Sequence, residues 1–199
     1  MLTTIWFVRH AEADPRVSDP PSRPLTEKGL KDRETVRAFL KNIPVTCAFS
    51  SPYQRAVDTI RPFADEAGLP IQTDMALAEF HAGKISPEGA FLHYIEMCFE
   101  DPARTQSGGE SFRALIRRQE KYLSRVLLSH AGENIVIGTH GIALSALIHH
   151  YAPSFGFADY LEIAGRMPII CRMTFDGNVC TQISLTDPIN PYSKTIQLP

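Results

Sequence analysis

Two stretches decide the reading: Thr-Thr-Ile-Trp-Phe-Val-Arg-His at residues 3–10 and Asn-Ile-Val-Ile-Gly-Thr-His-Gly at residues 134–141. Each is a short apolar, β-branched run that stops at a histidine. A continuous apolar run of this length suits a strand buried on both faces. Residues 3–8 and 134–138 are therefore read as strands, with His10 and His140 just beyond their ends. Working outward, residues 11–24 are rich in Pro, Asp and Ser and read as a loop. Thr26 then caps a helix running to about Lys41, and residues 45–49 form another strand. Ser51-Pro52 suits a helix start, with Ser51 as the cap, and Gly68 and Pro70 stop that helix. Residues 71–73 and 75–77 read as extended, and 87–99 as a helix. A long helical pattern covers 110–130, and a helix over 142–151 follows the second histidine. Residues 167–175 and 179–185 read as a hairpin around Asp176-Gly177-Asn178. The tail after Asp187 is expected on the surface.

Strands alternating with helices predict an α/β fold, a three-layer α/β/α sandwich around a mixed, mostly parallel sheet with an antiparallel hairpin at its edge. The 199 residues suit a single domain over 1–199. A net charge of −2 gives no basic surplus to attract nucleic acid or an anionic membrane, so an anionic ligand must be drawn by local cations. No stretch approaches the roughly 20 apolar residues of a membrane span, and the N-terminal run is too short for a signal peptide. Cys47, Cys98, Cys171 and Cys180 form no CxxC pair and no zinc-like spacing, and they read as reduced thiols of a cytoplasmic protein. The number of subunits is not legible.

In open α/β sheets ligands bind beyond the carboxyl ends of the strands. Arg9-His10 and Thr139-His140-Gly141 both fall there, and Ser51-Pro52-Tyr53-Gln54-Arg55 brings another arginine to a helix start after a strand. Two arginines, two histidines and a helix N-terminus make a cradle for phosphate. Thr26 reads as a cap rather than a ligand, and Gly29, Gly108 and Gly138 as backbone devices. Arg16, Arg23, Lys84 and Tyr53 read as surface residues near the mouth. His81 and His93 lie in a middle stretch where substrate contacts can fall. His149-His150 close a helix, where imidazolium suits the macrodipole. Other phosphate motifs fail: Gly83-Lys84-Ile85 lacks the rest of a P-loop, and no GxSxG elbow surrounds Ser145.

Phe7-Val8-Arg9-His10-Ala11-Glu12 resembles the signature of the histidine phosphatase superfamily, the phosphoglycerate-mutase-like proteins. The resemblance continues in order through Leu25–Gly29, Ser50–Thr59, Leu77-Ala78-Glu79-Phe80, Gly108–Ser111 and Val136–Gly141. It implies His10 as nucleophile, with His140 and Glu79 as the other catalytic groups and Glu79 exchanging protons. It implies Arg9, Arg55 and Gly141 as phosphate ligands, with no metal and no cofactor. The partner implied is a small phosphorylated substrate, handled as a phosphomonoester through a covalent phosphohistidine.

The chain departs from the pattern in two places. Ala11 replaces the usual glycine after the nucleophile, which is tolerable if φ is negative there. Arg16 stands where many relatives carry an asparagine. Three functions remain open on this reading: a metabolite phosphatase, a phosphoglycerate-type mutase, and a phosphohistidine protein phosphatase in signalling. The middle stretch from His81 to Gly108 is short for a mutase's closed pocket, which favours the phosphatase.

Overall fold

A computed structural model describes residues 1–85 and 90–199. Strand β1 (Leu2–Arg9) buries both its faces: Ile5 and Phe7 enter one apolar cluster, while Val8 and the partly buried Trp6 enter the other. Strand β4 (Asn134–Thr139) does the same, with Ile135 and Ile137 on one side and Val136 on the other. Each such fully buried side chain contributes about 1.5–3 kcal/mol. Alternation across a two-sided strand demands cover on both faces. Helices α1 (Glu27–Leu40) and α2 (Gln54–Glu66) cover one with Val36, Leu40, Ile60 and Phe63. On the other, α3 (Phe91–Glu100), α4 (Phe112–Ser129), α5 (Gly141–Tyr151) and α6 (Phe157–Ala164) contribute Ile95, Leu115, Leu147 and Ile163. These are the three layers expected.

The sheet also contains β2 (Val45–Ser50), β3 (Ile71–Thr73), β5 (Ile169–Asp176), β6 (Val179–Asp187) and β7 (Tyr192–Ile196). Its order is β3-β2-β4-β1-β5-β6-β7. The pairings among β3, β2, β4 and β1 are parallel and the rest antiparallel, so only β5 and β7 run against the other strands. β1 and β4 are central neighbours in the register Arg9↔Thr139, and the His10 amide donates to the Thr139 carbonyl at 3.0 Å. The two histidines therefore leave the same sheet edge side by side.

Several local expectations change. Thr26 caps α1 as expected, its hydroxyl accepting from the Gly29 amide at 3.0 Å. Ser51 does not cap α2, which starts at Gln54; its hydroxyl accepts from the Tyr53 amide at 3.2 Å and meets His140 instead. Residues Met75–Leu77 are a 3-10 turn capped by Asp74, whose carboxylate accepts from the Ala76 amide, and not extended chain. The described part of the helix expected over 87–99 is α3, and residues 87–89 lie outside the described residues. α6 was not expected: it has eight residues, too few to show a helical period, and starts where Asp159 accepts from the Gly156 amide at 2.8 Å. The tail lies on the surface as expected, and it also carries β7, of whose side chains only Ile196 is buried. No helix among the described residues is long and apolar enough to cross a membrane.

Candidate active site

Arg9, His10, Arg55, Glu79 and Gly141 line one cavity of about 520 Å³ at the carboxyl ends of the parallel strands. β1 delivers Arg9 and His10. The first turn of α2 delivers Arg55, the segment after the 3-10 turn delivers Glu79, and the start of α5 delivers Gly141. His10 Nδ1 lies 2.7 Å from the Ala11 carbonyl oxygen. A carbonyl only accepts, so Nδ1 carries the hydrogen and Nε2 keeps its lone pair. Burial, the Arg55 guanidinium and, to a lesser degree, Arg9 and Arg23 push the His10 pKa down to about 3, against the opposing effect of that hydrogen bond. The ring is thus neutral at ordinary pH. Ala11 takes the place of glycine without strain, since no described non-glycine residue has positive φ.

Arg9 is 8% exposed and its guanidinium is committed to backbone. Nη1 donates to the carbonyls of Ile163 at 2.6 Å and Arg166 at 3.2 Å, and Nη2 donates to Ala164 at 2.8 Å. These carbonyls belong to the carboxyl end of α6, the negative pole of a helix. Nε is buried and has no partner among the described residues. Three of the five guanidinium hydrogens are thus spent on backbone, which leaves Nε–H and one Nη2 hydrogen for phosphate. A Cβ at Gly141 would lie 3.0 Å from Nε, so only glycine lets the start of α5 approach this guanidinium so closely. Arg55 donates through Nη1 to the Pro20 carbonyl at 2.6 Å, and its guanidinium carbon is 5.1 Å from the centre of the Tyr53 ring. Burial lowers the pKa of both arginines, and the Glu79 charge opposes that.

The Glu79 carboxylate accepts three amides: Phe80 at 2.8 Å, Ala143 at 2.8 Å and Ile142 at 3.3 Å. Two of these are free amides of the first turn of α5, so the carboxylate sits on the positive end of that helix. His140 is completely buried. Its ring centre is 5.4 Å from that of His10 and 5.1 Å from that of Tyr53. Nε2 is 2.7 Å from the Ser51 hydroxyl, and Nδ1 has no partner among the described residues. Burial, then His10 and Arg55, hold its pKa well below the ordinary histidine value.

Residues 5–187 match the family model described as "Histidine phosphatase superfamily (branch 1)". The chain belongs to the histidine phosphatase superfamily. Among curated relatives it is similar to the adenosylcobalamin/alpha-ribazole phosphatase of Salmonella typhimurium (strain LT2), 28% identical over 72% of this chain and 77% of that one. It is also similar to the 2,3-bisphosphoglycerate-dependent phosphoglycerate mutase 2 of Gloeobacter violaceus, 26% identical over 88% of each. Among solved structures, the mycobacterial glucosyl-3-phosphoglycerate phosphatase has the same fold, with a TM-score of 0.71, 19% identity and cover of 98% and 97%.

Within this superfamily fold, the residues expected on sequence divide into those the cavity gathers and those it does not. Arg9, His10, Arg55, Glu79 and Gly141 line it, whereas His140 stands behind His10 in contact with its ring and does not line the wall. Of the residues read as surface, Arg23 and Tyr53 line the cavity, as does His81. Arg16 points outward, 87% exposed and paired with Asp14, and His93 is exposed and paired with Glu96. Lys84 is not among the lining residues. Sequence reading missed Phe91, Ile142, Tyr160 and Met167 as lining residues, and it missed Ser51 as the partner of His140. The serine carried a readable signal, since it follows directly on a strand that adjoins β4. Tyr160 carried none, because α6 itself was not recognised, and Met167 was read only as the start of a strand.

Proposed function

We propose that the chain is a phosphatase that hydrolyses a phosphomonoester of a small metabolite through a phosphohistidine at His10, without a metal ion. The observation that carries this reading is the hydrogen bond from His10 Nδ1 to the Ala11 carbonyl. It frees Nε2 as a nucleophile, and the depressed pKa keeps its lone pair available. Nε2 attacks phosphorus and the bond to the ester oxygen breaks. Arg9 Nε–H, the Arg55 guanidinium and the Gly141 amide offset the charge on the non-bridging oxygens. If the Ser51 hydroxyl donates to His140 Nε2, Nδ1 carries a hydrogen and becomes a further donor beside His10. Glu79 is the one carboxylate among the described lining residues. It gives its proton to the leaving oxygen and then takes one from the water that cleaves the phosphohistidine. Arginine cations supply the positive charge that a metal would otherwise bring. The four cysteines are unpaired, which suits a reducing, cytoplasmic setting.

The rest of the lining is largely apolar, with Phe80, Phe91, Ile142, Tyr160 and Met167, and suits a small leaving group better than a protein surface. The mutase reading has one observation in its favour: Arg23, a third arginine in the same cavity, suits a carboxylate such as that of a phosphoglycerate. Phosphate release in chelator from a panel of phosphorylated metabolites and one aryl phosphate tests the proposal. Glu79→Gln should slow alkyl esters far more than aryl esters, whose leaving oxygen needs no proton. Equal loss on both removes Glu79 from the acid role. Phosphoryl transfer between glycerate positions with no release would favour the mutase.

A further inference from the structure

At the opposite edge of the sheet three side chains converge that play no part in the cavity. Cys47 on β2, His130 at the carboxyl end of α4 and Glu133 just before β4 each place one donor atom within 4.8 Å of the other two. Cys47 Sγ is 3.2 Å from His130 Nδ1 and 3.6 Å from Glu133 Oε2, and Nδ1 is 3.3 Å from Oε2. Hydrogen bonds to Glu133 Oε2 account for two edges of this triangle and leave the contact between Cys47 Sγ and His130 Nδ1 without a proton. The thiol has one hydrogen, Nδ1 has at most one and an ionised carboxylate has none, so three contacts share at most two protons. A cation satisfies all three lone pairs at once. Zinc bonds of about 2.3 Å to sulfur and 2.0–2.2 Å to nitrogen and oxygen give tetrahedral edges of about 3.5–3.7 Å from sulfur and about 3.3–3.5 Å between nitrogen and oxygen. Two observed edges match, and the one between Sγ and Nδ1 is about 0.3 Å shorter.

We infer that Cys47, His130 and Glu133 form a three-ligand site for a divalent ion of zinc type, with water in the fourth position. Mixed sulfur, nitrogen and oxygen donors favour zinc over magnesium or calcium. The site has supporting contacts: the Thr46 hydroxyl donates to Glu133 Oε2, and the Phe49 ring packs edge-on against His130 at 5.7 Å. A groove of about 270 Å³ between Tyr122, Phe49 and Asp74 reaches His130 and offers a way in. Arg125, which also lines that groove, pairs with Asp74. On binding, the Cys47 S–H bond breaks, the sulfur keeps the electron pair and bonds the ion, and the proton goes to solvent.

Cys47 pairs with Ile135 at the start of β4. At about 3.3 Å per residue this is roughly 16 Å along the strand from His140. The ion would tie β2 to the α4–β4 turn and act on stability, not on phosphate chemistry. The inference does not depend on the phosphatase reading. Cobalt(II) titration of the full chain, freed of metal beforehand, tests it. Wild type should show a near-ultraviolet thiolate-to-cobalt absorption band at one equivalent, displaced by zinc, and Cys47→Ser should lack it. Zinc should raise the Tm of wild type but not of His130→Ala, while aryl-phosphate turnover in chelator is the same for both proteins. No band in wild type, an equal band in Cys47→Ser, or an equal zinc-induced Tm rise in His130→Ala overturns the inference.

Discussion

The parallel half of the sheet and its antiparallel half serve the cavity differently. β1, β2 and β4 lead directly into His10, Arg55 and His140, the groups proposed to handle phosphate. The stretch from α6 through β5 supplies Tyr160 and Met167 to the wall, and the carbonyls of Ile163, Ala164 and Arg166 that hold Arg9. In the first region, position follows from strand ends and register, which admit little variation. In the second, a short helix is docked by contacts far apart in sequence, and its link to the first region is the set of carbonyls that holds Arg9. On the proposed mechanism, chemistry rests on the parallel half and the wall around the leaving group draws on the other.

The largest expected effect that can break this division is His10→Ala. Turnover should fall by about 10⁴-fold or more on every substrate, because removing a nucleophile eliminates its pathway. Substantial release in this variant, read as free phosphate, would assign the chemistry elsewhere. Arg55→Lys comes next. Losing the planar fork should cost about 10²–10³ in kcat, in line with removal of one transition-state donor, with a smaller change in KM. Met167→Ala should sharpen the comparison from the other half. It should shift the ranking of substrates by about 10-fold in kcat/KM, as loss of a few methylenes does, and leave the aryl phosphate kcat nearly unchanged. A uniform loss of kcat would show that the wall also positions the chemistry.

The smallest effect concerns stability against pH. His10 titrates at 6.5 when unfolded and at about 3 when folded, and His140 is shifted in the same direction. Between those values the unfolded chain binds protons that the folded chain excludes. Stability is therefore full above pH 6.5 and falls as pH drops toward 3. Denaturant midpoints should decline over that window, and His10→Ala should decline less steeply.

The placement of the candidate phosphate cradle was largely legible because its members lie beside strand ends or helix starts, where a few adjacent residues reveal local structure. Even there the use of each atom was not. Nothing in Arg9-His10 shows that both Nη atoms of Arg9 donate to carbonyls over 150 positions away, leaving Nε–H and one Nη2 hydrogen. Ser51 looked like a helix cap because local capping chemistry and a bond to a distant imidazole demand the same residue type. α6 and β7 escaped notice because eight and five residues hold too little periodicity to stand out, and their placement is set by tertiary contacts such as Lys194 with Asp159 at 2.6 Å. The cluster of Cys47, His130 and Glu133 was invisible for the same reason, being assembled across β2 and the α4–β4 turn.

In the proposed mechanism the phosphoryl group passes through His10 before it reaches water. The most direct measurement is the stereochemical course at phosphorus, using a substrate made chiral with oxygen isotopes and a chiral thiophosphoryl group. Two in-line displacements, one by His10 and one by water, predict net retention of configuration. Net inversion would mean a single direct attack by water and would contradict the phosphohistidine.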